Sequence, residues 1–136
     1  MPAPSSSYTD PHTLARGLGW FSIALGLGEL LAPGSIKGHT GVPGPKGVVS
    51  SYGLREIATG AVLLAAKDPV PLVWARVAGD LLDIATIAPA LHPENPHRTG
   101  AASAMGFVLL ATATDLAVAL QGSDRSRAES RLLEAA

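Results

Sequence analysis

The sequence predicts an all-α fold, an antiparallel bundle of four membrane-spanning helices with a polar interior, and three observations carry that expectation. Four long apolar segments are separated by Pro- and Gly-rich breaks. Charged residues make up only 15% of the chain, against about 25% in an ordinary soluble domain, and the two tails take a large share of them. Finally, the stretch VPLVWARVAGDLLDIATIAPAL, residues 70–91, is apolar enough to be buried yet carries Arg76, Asp80 and Asp83. These fall at spacings of four and three, so on a helix they share one face. Such a charged stripe has to meet polar partners inside a bundle.

In chain order, residues 1–13 read as a disordered Pro/Ser-rich leader, with Thr13 a helix N-cap. Helix one is expected over residues 14–32, with Arg16 and Glu29 its only charges. That is about 28 Å of helix, near the thickness of a bilayer's hydrocarbon core. Residues 33–47 are so rich in Gly and Pro that they read as a loop, and Lys46, followed by Gly47, does not fit a phosphate-binding loop. Helix two, residues 47–66, carries Arg55 and Glu56 and places Gly53, Glu56 and Gly60 on one face, where a neighbour can approach closely. Asp68 and the prolines at 69 and 71 open helix three, residues 70–91, and the short link makes helices two and three a hairpin. Helix four, residues 99–121, holds Asp115 alone among charges, and Ala102 and Gly106 stand at the four-residue spacing that favours close helix packing. Residues 122–136 form a charged, frayed cytoplasmic tail.

The membrane expectation competes with a soluble four-helix bundle. No segment reaches 18 uncharged apolar residues, and the mean hydropathy is only +0.29. Against the soluble alternative, helices one and four have no charged side to turn toward water. The lipid bilayer is therefore the expected partner. Arg16, Lys67, Arg125, Arg127 and Arg131 fall on the side of the termini, against Lys37, Lys46 and Arg98 opposite. That excess puts both termini in the cytoplasm of a bacterial inner membrane, with Trp20 and Trp74 as interfacial anchors near that side.

Depth along the helices then pairs the charges. Arg76 and Asp115 both lie about 8 to 9 Å below the cytoplasmic surface, and Arg55 and Asp83 both about 12 Å below the outer one. Glu29 is shallower, within reach of Arg55. Glu56 and Asp80 are left near the midplane without an arginine, where they would share a proton or hold a cation.

The segments GLGWFSIALGLGELLAPG, YGLREIATG and WARVAGDLLDIATIAPAL together resemble a family of small bacterial four-helix integral membrane proteins of unknown function. In that family similar segments occur alone or ahead of a soluble cyclase/dehydrase-like lipid-binding domain. The resemblance spans residues 14–120 and is most specific at Gly53, Leu54, Arg55 and Glu56 and at Trp74, Ala75, Arg76, Gly79, Asp80 and Asp83. In layout the chain is also similar to the wider DoxX-like group. The resemblance implies a fold and a location rather than a reaction, and, with only a short segment after helix four, the lipid-binding domain of the fused form is not expected here.

Function is expected to rest on Glu29, Arg55, Glu56, Arg76, Asp80, Asp83 and Asp115. They form either a structural network that fixes helix packing, or a site for a small polar ligand, lipid or quinone in an accessory module. A larger membrane complex or homo-oligomer fits the accessory role. The alternative is a proton-coupled carrier or membrane enzyme that uses Glu56 and Asp80 as proton acceptors. No cysteine is present and no histidine falls within any of the four expected spans, so nucleophilic catalysis, a cofactor and a metal site are not expected. His92 and His97 read as solvated loop residues. A net charge of −1 without a basic stripe argues against nucleic acid.

Overall fold

A computed structural model describes residues 10–136, and these form five α-helices and no strand. They are α1 (Pro11–Leu31), α2 (Pro33–Thr40), α3 (Lys46–Ala65), α4 (Val70–Ile87) and α5 (Arg98–Ala135). The all-α expectation holds, while several boundaries move. The leader expected over residues 1–13 falls mostly outside the described residues, but Pro11 to Thr13 are helical. Asp10, not Thr13, is the N-cap: its carboxylate accepts from the Thr13 amide at 3.3 Å, and Pro11 supplies a pre-set first helical position.

The segment expected to be a loop contains α2. Pro33 restarts the helix and Gly41, at φ 61°, ends it in the left-handed conformation that glycine adopts freely. α2 is held down by the turn after α4, where the Asn95 amide donates to the Thr40 and Ala90 carbonyls at 3.1 and 2.6 Å. The last turn expected of helix three is instead a 3₁₀ turn, Ala88–Leu91, because Pro89 lacks the amide an α-helix needs. α5 runs on for 38 residues through Gly122, so the charged tail is continuous with it. Gly122 is there for contact, since a β-carbon at that position would collide with the Val70 side chain.

The helices pack as two close pairs, α1 with α3 and α4 with α5. In the first pair Gly19 faces Gly60 and Gly26 faces Gly53, so that a β-carbon on Gly53 would lie 2.7 Å from the Gly26 carbonyl oxygen. Seven residues separate the glycines on each helix, two turns, which keeps both contacts on one seam. The close neighbour of α3 is thus α1, and not α4 as the short link suggested. The small-residue face expected at Ala102 and Gly106 is not a seam: both are exposed, and nothing lies within 4 Å of a β-carbon at Gly106.

Two apolar clusters fill the bundle. Ala15, Leu63, Val73, Val118 and Ala119 close the terminal end, near the start of α1. Val42, Ile87, Ala90 and Ala101 close the cap end, near α2. The level between them is polar. Ser22, Glu56, Arg76, Asp80 and Asp115 are all buried, whereas Phe21, Leu27, Leu81, Leu82, Phe107, Leu109 and Leu110 are exposed. Charge inside and large apolar side chains outside invert the usual arrangement in water. α1 and α5 are long and apolar enough to cross a membrane.

Candidate functional site

Three helices bring charge to the polar level. On α4, Arg76, Asp80 and Asp83 share the face that turns toward α3 and α5. On α3, Arg55 and Glu56 are successive, so their side chains leave the helix about 100° apart. Glu56 points to the centre and Arg55 to the gap beside α4. α5 contributes Asp115, whose side chain is fully buried.

The side chains form a line of alternating charge. Asp83 Oδ2 accepts from Arg55 Nη2 at 2.8 Å, and the same nitrogen donates to Glu56 Oε1 at 2.9 Å. Glu56 Oε2 then takes Arg76 Nη1 at 3.3 Å, and Arg76 Nε donates to Asp115 Oδ2 at 2.8 Å. Ser22 of α1 completes the centre. Its hydroxyl donates to Glu56 Oε2 at 2.6 Å and accepts from Arg76 Nη1. Arg55 also lies over the Tyr52 ring, 5.2 Å from its centroid. Charges this far from water persist only when paired and hydrogen-bonded, which this line provides.

The two pairs matched by depth, Arg76 with Asp115 and Arg55 with Asp83, are therefore both formed. The midplane pair is not. Glu56, expected to lack an arginine, contacts both, and Asp80 has no ion-pair partner among the described residues and leaves its Oδ2 without a hydrogen bond. Glu29 reaches neither arginine within ion-pair distance among the described residues. Ser22 is not legible in the sequence, because a hydroxyl in an apolar run carries no charge signal. Its one mark is being the only hydroxyl between Leu14 and Ala32.

Pairing leaves a deficit. Five carboxyls, Glu29, Glu56, Asp80, Asp83 and Asp115, meet two guanidinium groups, Arg55 and Arg76. Among the described residues, four buried oxygens have no hydrogen-bond partner: Glu29 Oε2, Asp80 Oδ2, Asp83 Oδ1 and Asp115 Oδ1. Orphaned buried acceptors call for a proton, an ion or a ligand. No group of three His, Asp or Glu among the described residues is arranged to hold a metal ion.

Two cavities touch this level. The first, about 260 Å³, is a crevice between α1 and α5. Leu18, Phe21, Phe107, Leu110, Ala111 and Thr114 wall it, and Arg76 and Asp115 form its floor. The hydrogen bonds of Arg76 use Nε and Nη1, so Nη2 has no partner among the described residues. The second cavity, about 250 Å³, lies toward the cap end beneath α2 and reaches Glu29 and Asp83. Phe107 borders both, paired with Phe21 at 5.9 Å between ring centroids. Comparison with protein-family models, curated proteins and solved structures finds no match to this chain.

Proposed function

We propose that the chain is a four-span membrane module, with α1, α3, α4 and α5 crossing the bilayer and both termini in the cytoplasm. In this reading it is an inner-membrane relative of the small four-helix and DoxX-like proteins it resembles. Its crevice takes a lipid-phase molecule with a carbonyl or hydroxyl head, such as a quinone or a lipid. The observation that carries the reading is the crevice itself: apolar walls open beside exposed Phe21, Phe107 and Leu110, and a buried Arg76–Asp115 pair lies at its floor. An apolar mouth on a lipid-facing surface admits an acyl or isoprenoid body sideways. Neither Arg76 Nη2 nor Asp115 Oδ1 has a hydrogen-bond partner among the described residues, so at the floor the first is a donor to a carbonyl and the second an acceptor for a hydroxyl. Both are preorganised, because each is already fixed by its partner through another atom.

A carrier or enzyme working through Glu56 and Asp80 is the weaker reading, since Glu56 is committed to Ser22 and both arginines. The test is thermal unfolding of the detergent-purified protein with a short-tailed benzoquinone and, separately, dioctanoylglycerol. A ligand at 100 times its Kd stabilises the folded state by about 2.7 kcal/mol. One of the two probes should give a saturable rise in Tm that Ala111→Phe, which fills the crevice, abolishes. Equal shifts in both proteins, or none with either probe, would remove the crevice as a binding site.

A further inference from the structure

We propose that the second cavity, beneath α2, is a separate site for a small organic ammonium ion with an apolar body. Its walls are mostly carbon, from Leu25, Ile36, Val49, Ile87, Ala104 and Val108. Two carboxylates reach into it, each with one solvent-inaccessible oxygen that has no hydrogen-bond partner among the described residues, Glu29 Oε2 and Asp83 Oδ1. Arg55 satisfies the other oxygen of Asp83 and is shared with Glu56. It leaves Glu29 without a hydrogen bond or a salt bridge to a cation among the described residues. Positive charge is what this end of the polar level lacks.

The missing cation is organic on three grounds. An ammonium group has donors to give and needs only two or three acceptors, and Glu29, Asp83 and the oxygen of the Tyr52 hydroxyl, whose proton goes to Thr86 Oγ1, supply them around one space. A metal ion would need a fuller set of protein ligands, which these residues do not form. The carbon walls favour a ligand that carries its own apolar surface, since burying it is favourable by roughly 25 cal/mol per Å². At about 250 Å³ the space falls below the roughly 300 Å³ at which drug-sized ligands begin to fit, so the body is small, an aryl or short alkyl group. Of the residues that line this cavity, only Phe107 also lines the crevice.

The test is calorimetric titration of the full detergent-purified chain with phenethylamine and, as a neutral analogue of the same shape, 2-phenylethanol. Phenethylamine should bind saturably with one site, at least tenfold more tightly than the alcohol. Glu29→Gln should reduce amine affinity at least tenfold, and Val108→Trp, which fills the cavity and keeps both carboxylates, should abolish binding. Equal affinity for amine and alcohol, absence of amine binding, or wild-type amine affinity in either variant would overturn the proposal. The amine-to-alcohol comparison is made on the unaltered protein and stands even if a variant fails to fold.

Discussion

Arg76 is the residue whose removal strands the most charge. Arg76→Met leaves Asp115 without a cation and Glu56 with Arg55 alone, the situation in which breaking a buried pair from one side costs about 3 to 5 kcal/mol. Asp115→Asn is milder. Arg76 keeps Glu56 and Ser22, and the asparagine still accepts a hydrogen bond, so the loss should be nearer 1 kcal/mol. Thermal unfolding in detergent should place the two single variants in that order, with the double variant Arg76→Met and Asp115→Leu losing less than the sum of the single-site losses. Additive losses would mean that Arg76 and Asp115 are not coupled. The sequence disclosed these pairs because helical rise is fixed, so counting residues from a helix end gives depth. Depth says nothing of direction around the helix, and that is why it leaves Glu56, one residue from Arg55, without the two arginines it meets.

The element that fixes the height of everything else is the glycine seam between α1 and α3. Only with backbones this close can the short Ser22 side chain reach Glu56 across the interface. Gly60→Ala would drive a β-carbon into the Gly19 carbonyl and should cost about 1 to 3 kcal/mol, the usual penalty for overpacking. Gly106→Ala meets open space and should be neutral or add up to about 1 kcal/mol through helix propensity. Denaturation curves for the two variants that coincide would argue that the seam does not exist. The sequence displayed Gly53 and Gly60 as a small face, but the small face at Ala102 and Gly106 is empty, because spacing marks a permissive face and only a partner makes it a contact. α2 escaped notice for a related reason. The same glycines and prolines that read as loop punctuation are the ones that start and stop an eight-residue helix.

At the scale of the whole molecule, the buried charges and the exposed Leu and Phe side chains are what the proposed bilayer setting accounts for together, since its solvent is itself apolar. In water, the exposed faces of α1, α4 and α5 would be an extended sticky surface. In a bilayer those faces are solvated, and the polar level is sealed by the apolar clusters above and below it. The sequence conveyed this inversion through the scarcity of charge in helices one and four. It could not convey the two cavities, which arise where α1 and α5 stand apart and where α2 folds back, both products of packing between distant segments. The most direct measurement is cysteine accessibility in intact cells, made clean because the chain has no cysteine of its own. Glu94→Cys, exposed in the turn after α4, should react with an impermeant maleimide added outside the cells, and Ser126→Cys, exposed on α5, only after the inner membrane is permeabilised. Reaction of Ser126→Cys from outside would reverse the orientation, and recovery of both variants in a detergent-free soluble fraction, equally reactive, would contradict the membrane account.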